Sequence, residues 1–147
     1  MGAESWTYYV PYQENLEQAF QDLRQRVMDT GDYEIPENYK DAPLPQTIEE
    51  VWRRCAEEGA GTYSILDMAS LSTDPNATET GLVQPLSSQD LRELFGGEKP
   101  TRAEVEATFE EGWFWDKVRT NWGGLYVIIY QNNDPYELVF AGFSGDV

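Results

Sequence analysis

The chain has 147 residues, with 27 acidic side chains, 10 basic ones and no histidine, and so a formal charge of −17 at neutral pH. The lack of histidine removes the commonest general base and the commonest transition-metal ligand, and the charge excludes direct binding to nucleic acid or to an anionic membrane. An aromatic share of 14% excludes a disordered polyelectrolyte, and the length fits a single globular domain over residues 1–147.

Residues 5–12 (SWTYYVPY) predict a strand from their aromatic and β-branched content, with Pro11 marking an edge or an end. From Asn15 the apolar period lengthens, and Leu16, Ala19, Phe20, Leu23 and Val27 share one helical face. Glu14 and Glu17 start this first helix, Arg24 and Arg26 lie near its end, and Gly31 is placed to cap it. Residues 32–46 hold three prolines and no period, which predicts a long loop. Thr47 with Glu50 predicts a capping box for a second helix, whose apolar face is Ile48, Val51, Trp52, Cys55 and Ala56 and which Gly59 and Gly61 end. Residues 62–68 (TYSILDM) read as a strand, and residues 69–85 as a polar loop with a short strand at 81–84. Ser87 or Ser88 caps a third helix through Leu91, Leu94 and Phe95, closed by Gly96-Gly97. Thr101 with Glu104 opens a fourth, with Val105, Phe109, Trp113 and Val118 directed inward. Residues 124–131 and 136–143 flank Asn132-Asn133-Asp134-Pro135, a hairpin signal with a loop of about four residues. The unbroken apolar run over 125–130 predicts a central strand covered on both faces. The expected fold is α+β: a mostly antiparallel sheet of four to five strands with a C-terminal β-hairpin, and three to four helices, of which the first, second and fourth pack on one face.

Motifs for chemistry are sparse. Cys55 is the single cysteine, so no internal disulfide forms, which points to a reducing compartment. The start of the chain lacks a basic-then-apolar leader, and the longest apolar run is too short to cross a bilayer; a cytoplasmic location without membrane contact is expected. A catalytic thiol or serine needs a neighbouring base, so Cys55, on the apolar helical face, is expected to pack. Asp74, Asn76 and Thr78 have the spacing that opens a calcium loop, but Glu79 stands where glycine is needed and Pro85 at the twelfth position. Neither a dinucleotide fingerprint nor a P-loop occurs, and Gly59-Ala60-Gly61 and Gly123-Gly124 read as ordinary helix-end and strand-start glycines. No metal and no cofactor are expected. Catalysis by two carboxylates needs only a suitable separation, which keeps a small carboxylate-dependent hydrolase or isomerase as the alternative function.

Two segments stand out as candidate partner-binding surfaces. Residues 29–41 carry Asp29, Asp32, Glu34, Glu37 and Asp41 against Lys40, with Tyr33, Ile35 and Tyr39 interleaved. Carboxylates steer a basic partner from a distance and tyrosines supply contact area; the competing arrangement is a solvated loop whose tyrosines pack back on the body. The other segment is Trp113-Phe114-Trp115. Consecutive helical residues point about 100° apart, so one face cannot bury all three; the cluster either exposes an aromatic anchor for a partner, with Trp113 and Trp115 as its contact residues, or has Phe114 and Trp115 lining the hairpin. The contact residues expected are Asp32, Tyr33, Glu34, Glu37, Tyr39, Trp113 and Trp115. The function expected is that of a non-enzymatic acidic module that inhibits or neutralises a basic protein partner, such as a nuclease toxin or a nucleic-acid-handling enzyme.

Several stretches carry a resemblance: Trp6-Thr7-Tyr8-Tyr9-Val10-Pro11-Tyr12, Ser64-Ile65-Leu66-Asp67, Leu94-Phe95-Gly96 with Pro100-Thr101-Arg102, and Phe140-Ala141-Gly142-Phe143-Ser144-Gly145-Asp146. Together they resemble a group of small acidic bacterial proteins of unknown function. The resemblance spans the chain and implies one domain and a bacterial source, with no activity attached. In size, acidity and lack of catalytic motifs the chain is also similar, as a class, to bacterial immunity proteins and acidic phage-encoded inhibitors, a likeness that assigns no residues.

Overall fold

The structure, a computed structural model, describes residues 3–112, 116–118 and 122–145. In chain order the elements are β1 (Ala3–Pro11), α1 (Leu16–Thr30), α2 (Ile48–Glu58), β2 (Ser70–Leu71), β3 (Leu82–Pro85), α3 (Ser88–Phe95), α4 (Arg102–Glu111), β4 (Gly123–Gln131) and β5 (Asp134–Gly145). Short 3-10 turns lie at Glu37–Tyr39 and Ile65–Asp67.

Local chemistry sets the helix ends. Asn15 Oδ1 accepts the Gln18 N–H at 3.0 Å to start α1, and Gly31 closes it at φ 69°. The predicted box at α2 forms by half: Thr47 Oγ1 accepts the Glu50 N–H, while the Glu50 carboxylate takes Arg53 and Arg54. Charged guanidinium donors one turn ahead outcompete a single backbone N–H. At α4 the Thr101–Glu104 box is complete. Ser87 caps α3.

The sheet runs β1-β5-β4-β3-β2. β5 pairs antiparallel with both β1 and β4, while the short β2 and β3 join in parallel, so the α+β expectation holds with a mixed edge. The hairpin turn is tighter than its sequence predicts. Asn132 and Asn133 alone make it, at φ 54° and 68°, because asparagine tolerates the left-handed region that a two-residue turn requires. Asp134 and Pro135 already pair with Gln131 and Tyr130. The register shifts beside that proline, and the Tyr130 N–H donates to the Pro100 carbonyl at 2.8 Å.

Both faces of β4 are covered. On one, Phe20, Leu23 and Val27 of α1 and Val51 and Cys55 of α2 pack against Trp6, Tyr126, Leu138 and Phe140. On the other, Phe95 of α3 and Val105 of α4 meet Leu125, Val127, Ile129 and Val139. Helix α4 therefore lies across the sheet from α1 and α2, contrary to the sequence expectation. The cause is topological: β3 and β4 are parallel, so the chain must cross back over the sheet between them, and α3 and α4 make that crossing. Helix α4 closes at Gly112 with φ 80°, and Trp113-Phe114-Trp115 falls outside the described residues.

Residues 62–68 do not form the predicted strand. Ile65, Leu66 and Met68 are fully buried, but Ser64 Oγ accepts the Leu66 N–H and the Asp67 side chain takes the Thr62 and Tyr63 N–H groups. These local bonds replace a ladder. Gly59 ends α2 and Gly123-Gly124 starts β4, as the sequence predicts, and Gly124 has a further role. Gly124 and Gly142 face each other across β4 and β5, and the Trp6 ring fills the space their missing side chains leave. A Cβ on Gly124 would stand 2.8 Å from Trp6 Cη2. Trp6 Nε1 donates to Ser144 Oγ at 3.0 Å, fixing the ring. Among the described residues, no helix is long and apolar enough to cross a membrane.

Candidate functional site

The segment from Gly59 to Asp67 lies beside two depressions of the surface. Helix α2 stops at Gly59 (φ 68°), where the Gly59 and Ala60 N–H groups return to the Ala56 and Cys55 carbonyls. The chain then turns inward on a buried polar knot. Asp67 Oδ1 accepts the Thr62 N–H at 2.7 Å and the Thr62 hydroxyl at 2.9 Å, and Oδ2 accepts the Tyr63 N–H at 3.1 Å. The Thr62 and Ser64 hydroxyls are 2.6 Å apart. This knot holds Tyr63 at φ 55°, a conformation uncommon for a bulky residue and one that persists only where its surroundings enforce it. The Glu34 N–H donates to the Thr62 carbonyl at 2.9 Å, which ties the acidic loop to the same knot.

Two depressions share Cys55, Ala60 and Gly61 as a common wall. The first, about 260 Å³, is lined by Glu34, Glu37 and Glu58 with Lys40, over Ile35, Pro36 and Tyr63. Lys40 pairs with Glu37 at 3.2 Å, with both side chains largely exposed, so the pair offsets little of the local charge. Among the described residues no cation pairs with Glu34 or Glu58. The second depression, about 350 Å³, is an open groove that Trp52 and Trp122 line together with Asp67 and Thr80.

Of the sequence-predicted contact residues, Asp32, Glu34 and Glu37 are exposed, and Glu34 and Glu37 meet in the first depression. Asp32 is not on its wall. Tyr33 packs against the α1–α2 core, where burial raises its hydroxyl pKa above the ordinary tyrosine value. Tyr39 lies under the Arg54 guanidinium at 4.6 Å and donates its hydroxyl to the Glu57 carboxylate, a bond that holds its proton more tightly than usual. Both tyrosines thus anchor the loop to the body. Trp113 and Trp115 lie outside the described residues.

Glu58, Tyr63, Asp67, Trp52 and Trp122 were not singled out by sequence as site residues. One signal was present for Glu58: α2 carries Glu57 and Glu58 in its last turn with no basic residue there, an arrangement that opposes the helix dipole and so is not explained by helix stability. Cys55 is 4% exposed, and burial first, then the charge of Asp67, pushes its thiol up to about 11; it stays protonated near neutral pH and packs, as its helical face predicts. The Asp74 carboxylate accepts the Asn76 N–H in a local turn. No family model, no curated protein and no solved structure matches this chain.

Proposed function

We propose that this chain is a non-enzymatic binding module that captures and neutralises a basic protein, such as a nuclease toxin or a nucleic-acid-handling enzyme. The observation that carries the reading is the convergence of Glu34 and Glu37 from the loop with Glu58 from the end of α2 on one depression floored by Ile35 and Pro36. A lysine or arginine side chain asks for both parts: carboxylates for its head and apolar surface for its methylene stem. The loop is pinned beforehand by Tyr33, by Tyr39 and by the Glu34–Thr62 hydrogen bond, so little ordering remains to be done on binding. The charge of −17 adds long-range steering, and Trp113 and Trp115 are proposed as further aromatic anchors. The likeness to immunity proteins and acidic inhibitors points the same way, and a cytoplasmic setting suits a chain with one buried thiol.

The experiment presents the immobilised chain to small basic nucleases at low ionic strength and at about 0.5 M salt. Association that slows at least about tenfold at the higher salt, with nuclease activity reduced in the complex, is the expected outcome. Equal association rates at both salts contradict capture by charge, and failure to bind or inhibit any of them contradicts the proposed partner class.

A further inference from the structure

We propose that the groove between Trp52 and Trp122 binds a quaternary alkylammonium group of the choline type. The two indoles are held ready: Trp52 Nε1 donates to the Leu66 carbonyl at 2.7 Å and Trp122 Nε1 to the Asp67 carbonyl at 3.0 Å. Consecutive carbonyls of one turn thus fix both rings, and their N–H groups are spent on the protein rather than on a ligand. Trp52 is 36% exposed although it belongs to the apolar stripe of α2, and it is one of the residues that line the groove. At about 350 Å³ the groove falls within the size range of small-molecule sites, roughly 300–1,000 Å³.

Charge selects the class of ligand. Asp67 is 7% exposed and sits on the groove wall, and among the described residues no lysine or arginine lines it. Its two carboxylate oxygens already accept three donors from Thr62 and Tyr63. The group therefore offers a negative field more than a place for another hydrogen bond. A primary ammonium brings three N–H donors that need acceptors, whereas a quaternary ammonium brings none and is attracted by field and aromatic faces together. An anionic ligand would meet both Asp67 and the whole field of the protein. Arg24, whose guanidinium lies 5.9 Å over Trp52, shows this indole already serving a cation, and Arg24 is not part of the groove wall.

The site is separate from the acidic depression and its test needs no partner protein, so either reading stands if the other fails. The full chain, labelled with ¹⁵N, is titrated with choline chloride while the tryptophan indole N–H signals are followed by NMR, with Trp52→Phe and Trp122→Phe assigning them. Sodium chloride at matched ionic strength is the baseline, 3,3-dimethyl-1-butanol the neutral isostere and ethanolamine the primary amine. Choline should move the Trp52 and Trp122 signals saturably, with the isostere and ethanolamine each binding at least about tenfold more weakly. Trp52→Leu should weaken choline binding by a similar factor while the remaining indole signals keep their folded positions; if that variant misfolds, the comparison of choline with its isostere on the native chain decides. Shifts with choline no larger than with sodium chloride overturn the proposal. So does equal binding of the neutral alcohol, which would make the groove merely apolar, or of ethanolamine, which would remove the quaternary selectivity.

Discussion

Replacing Gly142 by alanine is expected to destabilise the fold by about 3 kcal/mol or more, the upper end of what overpacking costs. The added methyl would collide with the Gly123 carbonyl oxygen across the ladder and stand 2.7 Å from Trp6 Cζ2. Neither neighbour is able to yield. Gly123 belongs to β4, whose register is set by covered faces on both sides, and the Trp6 indole is tied to Ser144. β5 itself lies between β1 and β4 and has no outer side toward which to shift. Gly97→Ala is the control: its Cβ would meet nothing within 4 Å, and its effect should stay within about 0.5 kcal/mol. Urea unfolding reads both, and the expected sign is a lowered midpoint for Gly142→Ala with an unchanged slope. A midpoint equal to that of the native chain would mean that Trp6 does not occupy the slot.

The other large effect is expected at Asp67. Truncation to alanine leaves the buried Thr62 N–H and the half-buried Tyr63 N–H without their acceptor and leaves the Thr62 hydroxyl with Ser64 Oγ alone, at a cost of about 3 kcal/mol. Asp67→Asn is nearly as harmful for a geometric reason. Its oxygen is able to replace Oδ1 toward Thr62, but its amide nitrogen then faces the Tyr63 N–H, donor against donor. Tyr63 is released from φ 55° in both variants, so hydrogen exchange should show the Thr62 and Tyr63 amides losing protection first. Native stability in Asp67→Asn would contradict the account of the knot.

These two positions mark where sequence reading stops. Helix α1 was legible because its apolar period and Gly31 agree, and the run over 125–130 announced a covered strand because every residue in it is apolar. In residues 62–68 the apolar residues suggested a strand, yet the Ser64 and Asp67 side chains cap the local backbone, and only the buried setting decides that those bonds win. Periodicity showed that α4 has an inner face but not which side of the sheet it meets, since that follows from the parallel pairing of β3 with β4. The meeting of Gly124 with Gly142 under Trp6 depends on three strands at once. At the candidate site, Glu34 and Glu37 were readable as acidic loop residues. Their meeting with Glu58 was not, because it depends on a backbone bond between Glu34 and Thr62 that no local pattern encodes. The tyrosines illustrate the opposite error: their spacing fitted contact residues, and the body claims them as anchors.

In the proposed function a place on the surface, rather than net charge alone, receives the basic partner. Two triple variants that remove the same three charges test it most directly. One carries Glu34→Gln, Glu37→Gln and Glu58→Gln at the depression; the other carries Glu106→Gln, Glu110→Gln and Glu111→Gln on α4, across the sheet. Affinity for a basic nuclease that the native chain binds is measured for both at one ionic strength. The depression variant is expected to bind at least about tenfold more weakly, a loss of ~1.4 kcal/mol, while the α4 variant shows only the small slowing of association that reduced steering brings. Equal losses in the two variants would contradict the account.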